Sequence, residues 1–259
     1  MIASAVLTVF AAASLTNVLP RIASHERYSF SGSNMLAAQI QQGAPADVFA
    51  SANTKLPEQL YEQGLVEKPV VFTRNELILI VPKSNPAGIH SVFDLRKPGV
   101  KLVVGAVGVP VGDYTRVVLH NLGLDDVLGH VVSQETDVRE VLAKVALGEA
   151  DAGFVYLTDA RTVRGKVATI GIRWSAQPIV QYAVAVVKSS HHLAAARSFV
   201  QALLGKPAQA KLRAAGFLAP RCSSAPPSSQ RPSRASRSSR CRSWPSSRGS
   251  RSEESRARS

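Results

Sequence analysis

Short apolar runs alternate with amphipathic stretches along most of this chain, and the two kinds differ in period. Residues 6–10, 27–30, 46–50, 76–82, 102–105, 153–156 and 180–187 are β-rich runs bounded by small or turn-forming residues, the signature of strands. Between them, residues 34–42, 55–63, 112–122, 137–147, 192–204 and 207–215 place apolar side chains at helical spacing. A short helix capped by Ser14 or Thr16 and limited by Pro20 follows the first strand, and 158–163 reads as a helical turn. Gly43 and Gly64 stand where two of the helices should stop.

Strand–helix alternation of this kind predicts an α/β fold with largely parallel sheets. The pattern runs through two similar units, with the apolar runs 77–81 and 182–187 as crossovers between them. We therefore expect two lobes, residues 1–80 with 182–221 and residues 81–181, flanking a cleft. Ligands of such sheets bind at the carboxyl ends of the strands, where helices begin.

Charge changes the picture only at one end. The net charge of +13 suggests a nucleic-acid binder until it is divided along the chain: residues 222–259 hold nine Arg against two Glu. That Ser/Arg/Pro-rich tail cannot bury a core and is expected to be disordered. Both cysteines, Cys222 and Cys241, fall in it, so the remainder has neither disulfides nor thiolate metal ligands to offer. No apolar run approaches the ~20 residues needed to span a bilayer. Residues 1–15 are apolar but lack a basic leading segment, and are read as the approach to the first strand rather than a signal peptide.

Three stretches place small or hydroxyl residues where helices begin: 11–16 (Ala-Ala-Ala-Ser-Leu-Thr), 30–34 (Phe-Ser-Gly-Ser-Asn) and 109–114 (Val-Pro-Val-Gly-Asp-Tyr). Helix starts carry unpaired N–H groups and partial positive charge, so several converging would hold an anion. These stretches, with 42–52 (Gln-Gly-Ala-Pro-Ala-Asp-Val-Phe-Ala-Ser-Ala), 148–156 (Gly-Glu-Ala-Asp-Ala-Gly-Phe-Val-Tyr) and 214–217 (Ala-Ala-Gly-Phe), occur in an order that resembles the periplasmic molybdate-binding proteins of bacterial ABC importers, over residues 5–219. The resemblance implies a two-lobed periplasmic-binding-protein fold of type II with a hinge of two crossover strands. It also implies a monomer that captures molybdate, with tungstate as a second ligand, for a membrane permease, working in the periplasm and needing no cofactor. Carried over position by position, it assigns the anion to Ser14 and Ser33 through hydroxyl and N–H groups, to Val111 and Val138 through backbone N–H groups, and to Tyr156 through its phenol. Molybdenum would enter only as its oxyanion. Val111 stands where the family usually has alanine.

Read without that resemblance, Ser14 and Ser33 are ordinary helix caps and Tyr156 a core aromatic. Asp137 is expected to cap its helix, since a carboxylate facing a dianion would repel it. Catalysis has little to build on. Ser14 lacks a nucleophile elbow, His191 and His192 are adjacent and point apart, and Gly105–Gly112 lacks dinucleotide spacing. Trp174 is expected to pack inside. We therefore expect a binding protein rather than an enzyme, and no nucleic-acid partner. Another tetrahedral oxyanion such as sulfate, or a cytoplasmic oxyanion-sensing module of the same fold, are the alternatives.

Overall fold

The computed structural model describes residues 5–220. The Ser/Arg-rich tail expected at 222–259, with both cysteines, and residues 1–4 and 221 of the expected first lobe lie outside the described residues. Two five-stranded sheets organise the chain. The first contains β1 (Thr8–Ala12), β2 (Arg27–Ser31), β3 (Val48–Ser51), β4 (Val70–Asn75) and β10 (Val180–Val186) in the order β2-β1-β3-β10-β4. The second contains β5 (Leu77–Pro82), β6 (Leu102–Gly105), β7 (Val131–Glu135), β8 (Ala152–Tyr156) and β9 (Val167–Ile170) in the order β7-β6-β8-β5-β9. The two orders are the same: three parallel strands, an antiparallel strand beside the third, and an antiparallel edge beyond it. The expected α/β architecture is present, but the sheets are mixed, parallel over three strands of each.

Helices cover the sheets because the inner strands are apolar along their whole length; β5 and β8 are buried at every residue. In the first lobe α2 (Ser33–Gln41) and α3 (Lys55–Glu62) close over Phe10, Phe49 and Ala185, while α7 (Leu193–Leu204) and α8 (Lys206–Ala215) cover the other face. In the second lobe α4 (Pro110–Asn121) and α5 (Val138–Leu147) pack on β6 and β8. Gly148 ends α5 with φ of 76°, a left-handed position that any side chain would strain.

Three details differ from the sequence pattern. Pro20 does not limit a helix but starts one: it lies in the first turn of α1 (Leu19–Ile22), where its missing N–H has no intrahelical acceptor to lose. Trp174 is 66% exposed rather than packed. The apolar runs read as crossovers lie wholly within one sheet each, β5 in the second and β10 in the first. The chain instead crosses at Glu76, between β4 and β5, and returns over residues 171–179. Gln177 joins the two crossings, its side-chain amide donating to Leu77 O at 2.6 Å and its oxygen accepting from Leu77 N at 3.2 Å.

Where the lobes face each other the backbones nearly touch. A Cβ on Gly32, just before α2, would overlap the carbonyl oxygen of Thr136, just before α5. Gly32 has φ of −57°, open to any residue, so space alone demands glycine there. Beside this approach Arg139 of α5 donates to Asn17 Oδ1 across the cleft at 2.6 Å. Its Nε lies 2.8 Å from Asp159 Oδ1, at the end of α6 (Leu157–Ala160).

Asp159 is fully buried, and burial pushes its carboxyl up to about 7 although Arg139 pulls the other way; Asp137 adds to the rise. The folded chain thus keeps this proton over a range where the unfolded chain, at about 3.8, has lost it. A state that binds more protons loses stability as pH rises, so folding stability should fall between about pH 4 and 7. Urea-unfolding midpoints across that range should show the slope, and Asp159→Asn should flatten it. An unchanged slope in the variant would assign the pH dependence elsewhere.

Candidate functional site

All six parallel strands of the two sheets run toward the cleft, so their carboxyl ends meet there from opposite sides. A small cavity lies at that meeting point. Ser14 reaches it from the end of β1, Ser33 from the start of α2 after β2, and Tyr156 from the end of β8. Val111 and Val138 reach it from the first turns of α4 and α5. The structure therefore brings all five residues singled out in the sequence to one cavity, two from the first lobe and three from the second.

The hydroxyl groups are oriented as donors by what stands behind them. Ser33 Oγ accepts from Ala52 N at 3.0 Å, which leaves its own O–H to donate into the cavity. Ser14 Oγ lies 2.8 Å from Tyr182 Oη. The direction of that bond is set further back, at Asn75. Asn75 Oδ1 accepts from Glu76 N at 3.0 Å, which fixes the amide so that Nδ2 donates to Thr158 Oγ1 at 2.8 Å and to Tyr182 Oη at 3.3 Å. Tyr182 Oη thus accepts from Asn75, and Ser14 Oγ is the acceptor within reach of the phenol's own proton, an arrangement that leaves Ser14 to donate forward. The ladder between β10 and β4 slips by one residue between Tyr182 and Ala183, a local irregularity of the kind that re-aims a strand side chain.

Tyr156 is the sharpest feature. Its ring packs edge-on against Tyr182 at 5.8 Å and against Tyr114 at 6.5 Å, joining the lobes through aromatic contact. Its hydroxyl is buried and is the one buried hydroxyl among the described residues without a partner. Such a group costs roughly 1–3 kcal/mol if left unsatisfied. Burial raises both Tyr156 and Tyr182 well above the usual phenol range, so both stay protonated and able to donate.

Backbone donors complete the wall. Neither α2 nor α4 has a side-chain cap, so the N–H groups of their first turns face the cavity with no intrahelical acceptor. Val111 follows Pro110 there, and its side chain is 1% exposed, leaving only its N–H to offer. In α5 the cap is Asp137, as expected: Oδ1 accepts from Arg139 N at 2.6 Å and from Glu140 N at 3.2 Å. This consumes the second and third amides and leaves that of Val138. Asp137 is the one carboxylate on the cavity wall, and no lysine or arginine lines it. The site is therefore a shell of neutral donors with helix starts behind it, suited to an anion that carries no proton of its own. Tyr182 and Asn75 escape a linear reading because they act through partners 168 and 107 residues away. A lone tyrosine in the Val/Ala run of β10 was their sole trace.

Comparison with known proteins agrees with this geometry. Residues 7–218 match the family model of bacterial extracellular solute-binding proteins. The molybdate-binding protein ModA of Mycobacterium tuberculosis is 36% identical over 226 residues, covering 83% of this chain and 85% of that one. The Escherichia coli protein of the same name is 33% identical over 228 residues, covering 82% and 88%. Among solved structures, the periplasmic molybdate-binding protein of Azotobacter vinelandii superposes with a TM-score of 0.73 at 25% identity, covering 83% of this chain and all of that one. With its paired sheets, its crossing segments and a donor-lined cavity between them, the chain belongs to the bacterial extracellular solute-binding protein family.

Proposed function

We propose that this chain captures molybdate in the interlobe cavity, outside the cytoplasm, and delivers it to the membrane permease of an ABC importer. The observation that carries this reading is the buried Tyr156 hydroxyl, a donor with no partner, in a cavity that it shares with two serine hydroxyls and the uncapped first turns of α2 and α4. The names of the similar proteins supply the anion. Ser14, Ser33, Val111, Val138 and Tyr156 are the groups we assign to it. Hydrogen bonds to a charged acceptor contribute roughly 1.5–3 kcal/mol each. Several of them can offset desolvation of a dianion and leave about −8 kcal/mol, micromolar binding or tighter.

Selectivity follows from the fixed direction of the donors. Phosphate near neutral pH retains a proton and needs an acceptor, which the five assigned groups do not present; the one wall carboxylate, Asp137, is engaged in capping α5. Sulfate is unprotonated, so only size separates it from molybdate; a smaller tetrahedron leaves some bonds too long. Tungstate matches molybdate in size and charge and should bind alike. Closure completes the shell, since its donors come from both lobes, and the bare Gly32 backbone lets the lobes approach.

Three outcomes test this. Thermal shifts should be large with molybdate and tungstate, small with sulfate and absent with phosphate; equal shifts for sulfate and molybdate would refute the size argument. Tyr182→Phe should weaken molybdate about tenfold (about 1.4 kcal/mol) in calorimetry. It should also narrow the gap to phosphate, because Ser14 Oγ is freed to accept. Gly32→Ala should weaken molybdate by a similar factor while changing ligand-free stability by about 1 kcal/mol or less, the cost of a poorer cap. Undiminished affinity would show that closure does not need this approach.

A further inference from the structure

A second and larger cavity, about 790 Å³, opens beside the first and shares Ser14 with it. Its chemistry is the opposite. Four arginines line it: Arg21 from the first lobe, and Arg139, Arg161 and Arg164 from the second. Arg139 is held by Asp159 and Asn17. The guanidinium groups of Arg21, Arg161 and Arg164 have no carboxylate partner among the described residues, and no lining residue is acidic. Arg161 lies against the backbone of Gly216, at the negative end of α8, which accounts for its position but leaves its charge uncompensated by any side chain.

Three cations without carboxylate partners around one opening repel one another, and packing against α8 accounts for Arg161 alone. They do supply what the inner site lacks. A shell of neutral donors binds well at contact but exerts little pull at a distance, whereas clustered cations in a cleft concentrate counter-ions and speed their arrival. Because these side chains are exposed, water and salt weaken their grip, so an anion held there is released readily.

We propose that the arginine-lined cavity is an outer, low-affinity site for small divalent oxyanions, an antechamber that gathers the ligand and passes it to the neutral inner shell. This rests on the molybdate reading of the inner site. The outer site governs the association rate, and the inner site governs the residence time.

The test is rapid-mixing kinetics of sodium molybdate with the full chain, followed by intrinsic fluorescence, alongside equilibrium titration. Arg21→Gln/Arg164→Gln keeps the packed Arg161 and should lower the association rate constant several-fold at low salt, with the dissociation rate unchanged and the difference vanishing at high salt. Lys83→Gln/Lys188→Gln removes the same charge beyond the far ends of the antiparallel strands β5 and β10, and should leave association near the parent value. An association rate unchanged in the arginine variant, or reduced equally in the lysine variant, overturns the antechamber while leaving the inner site standing. Failure of the parent chain to bind molybdate at equilibrium overturns the inner-site reading and this proposal with it.

Discussion

A doubly charged anion loses its hydration when it enters a protein, and on the proposed reading the replacement comes here from groups that carry no charge. That constraint shapes the rest of the structure. Neutral donors match water only if many of them point inward together and none can turn round to accept. The Asn75–Tyr182–Ser14 chain and the Ala52–Ser33 bond meet the second requirement by filling the acceptor side of each hydroxyl from behind. The first requirement is met by topology. Two sheets with the same strand order aim the ends of six parallel strands at one point, and helix starts deliver amides there without long side chains.

The donors and the links between the lobes belong to different parts of the chain. The donors sit on strand ends and helix starts, which the apolar cores hold firmly. The lobes are linked by the two crossings, at Glu76 and over 171–179, which the Gln177–Leu77 pair joins. Between the lobes the contacts include the Gly32 approach, the Arg139–Asn17 and Asn75–Thr158 bonds and the tyrosine edges. Arg139 follows Val138 directly, so the residue that offers an amide to the cavity and the residue that reaches across the cleft move as one.

Much of this was legible in the sequence, and the omissions have a common cause. The inner strands β1, β3, β5, β6, β8 and β10 declared themselves because burial on both faces makes them continuously apolar. The strands that went unread, β4, β7 and β9, are sheet edges, where partial exposure dilutes the pattern with Arg74, Gln134 and Thr169. The five positions assigned to the anion were reached through the family resemblance; read alone, Ser14 and Ser33 pass for helix caps and Tyr156 for a core aromatic. Asn75, Tyr182, Gly32 and Asp159 were not legible, since each acquires its meaning from a residue on another element. Gly32 in particular looks like a cap in sequence, and only the facing Thr136 carbonyl shows why a methyl group is forbidden.

The unpartnered Tyr156 hydroxyl has a consequence for the empty molecule. With no guest, bringing the lobes together seals a dry phenol opposite helix ends whose partial charges are alike, an arrangement that repels itself. Vacancy therefore favours parted lobes, and cargo supplies the negative centre that lets them shut. On the proposed reading, the spacing between the two halves reports whether the carrier is loaded.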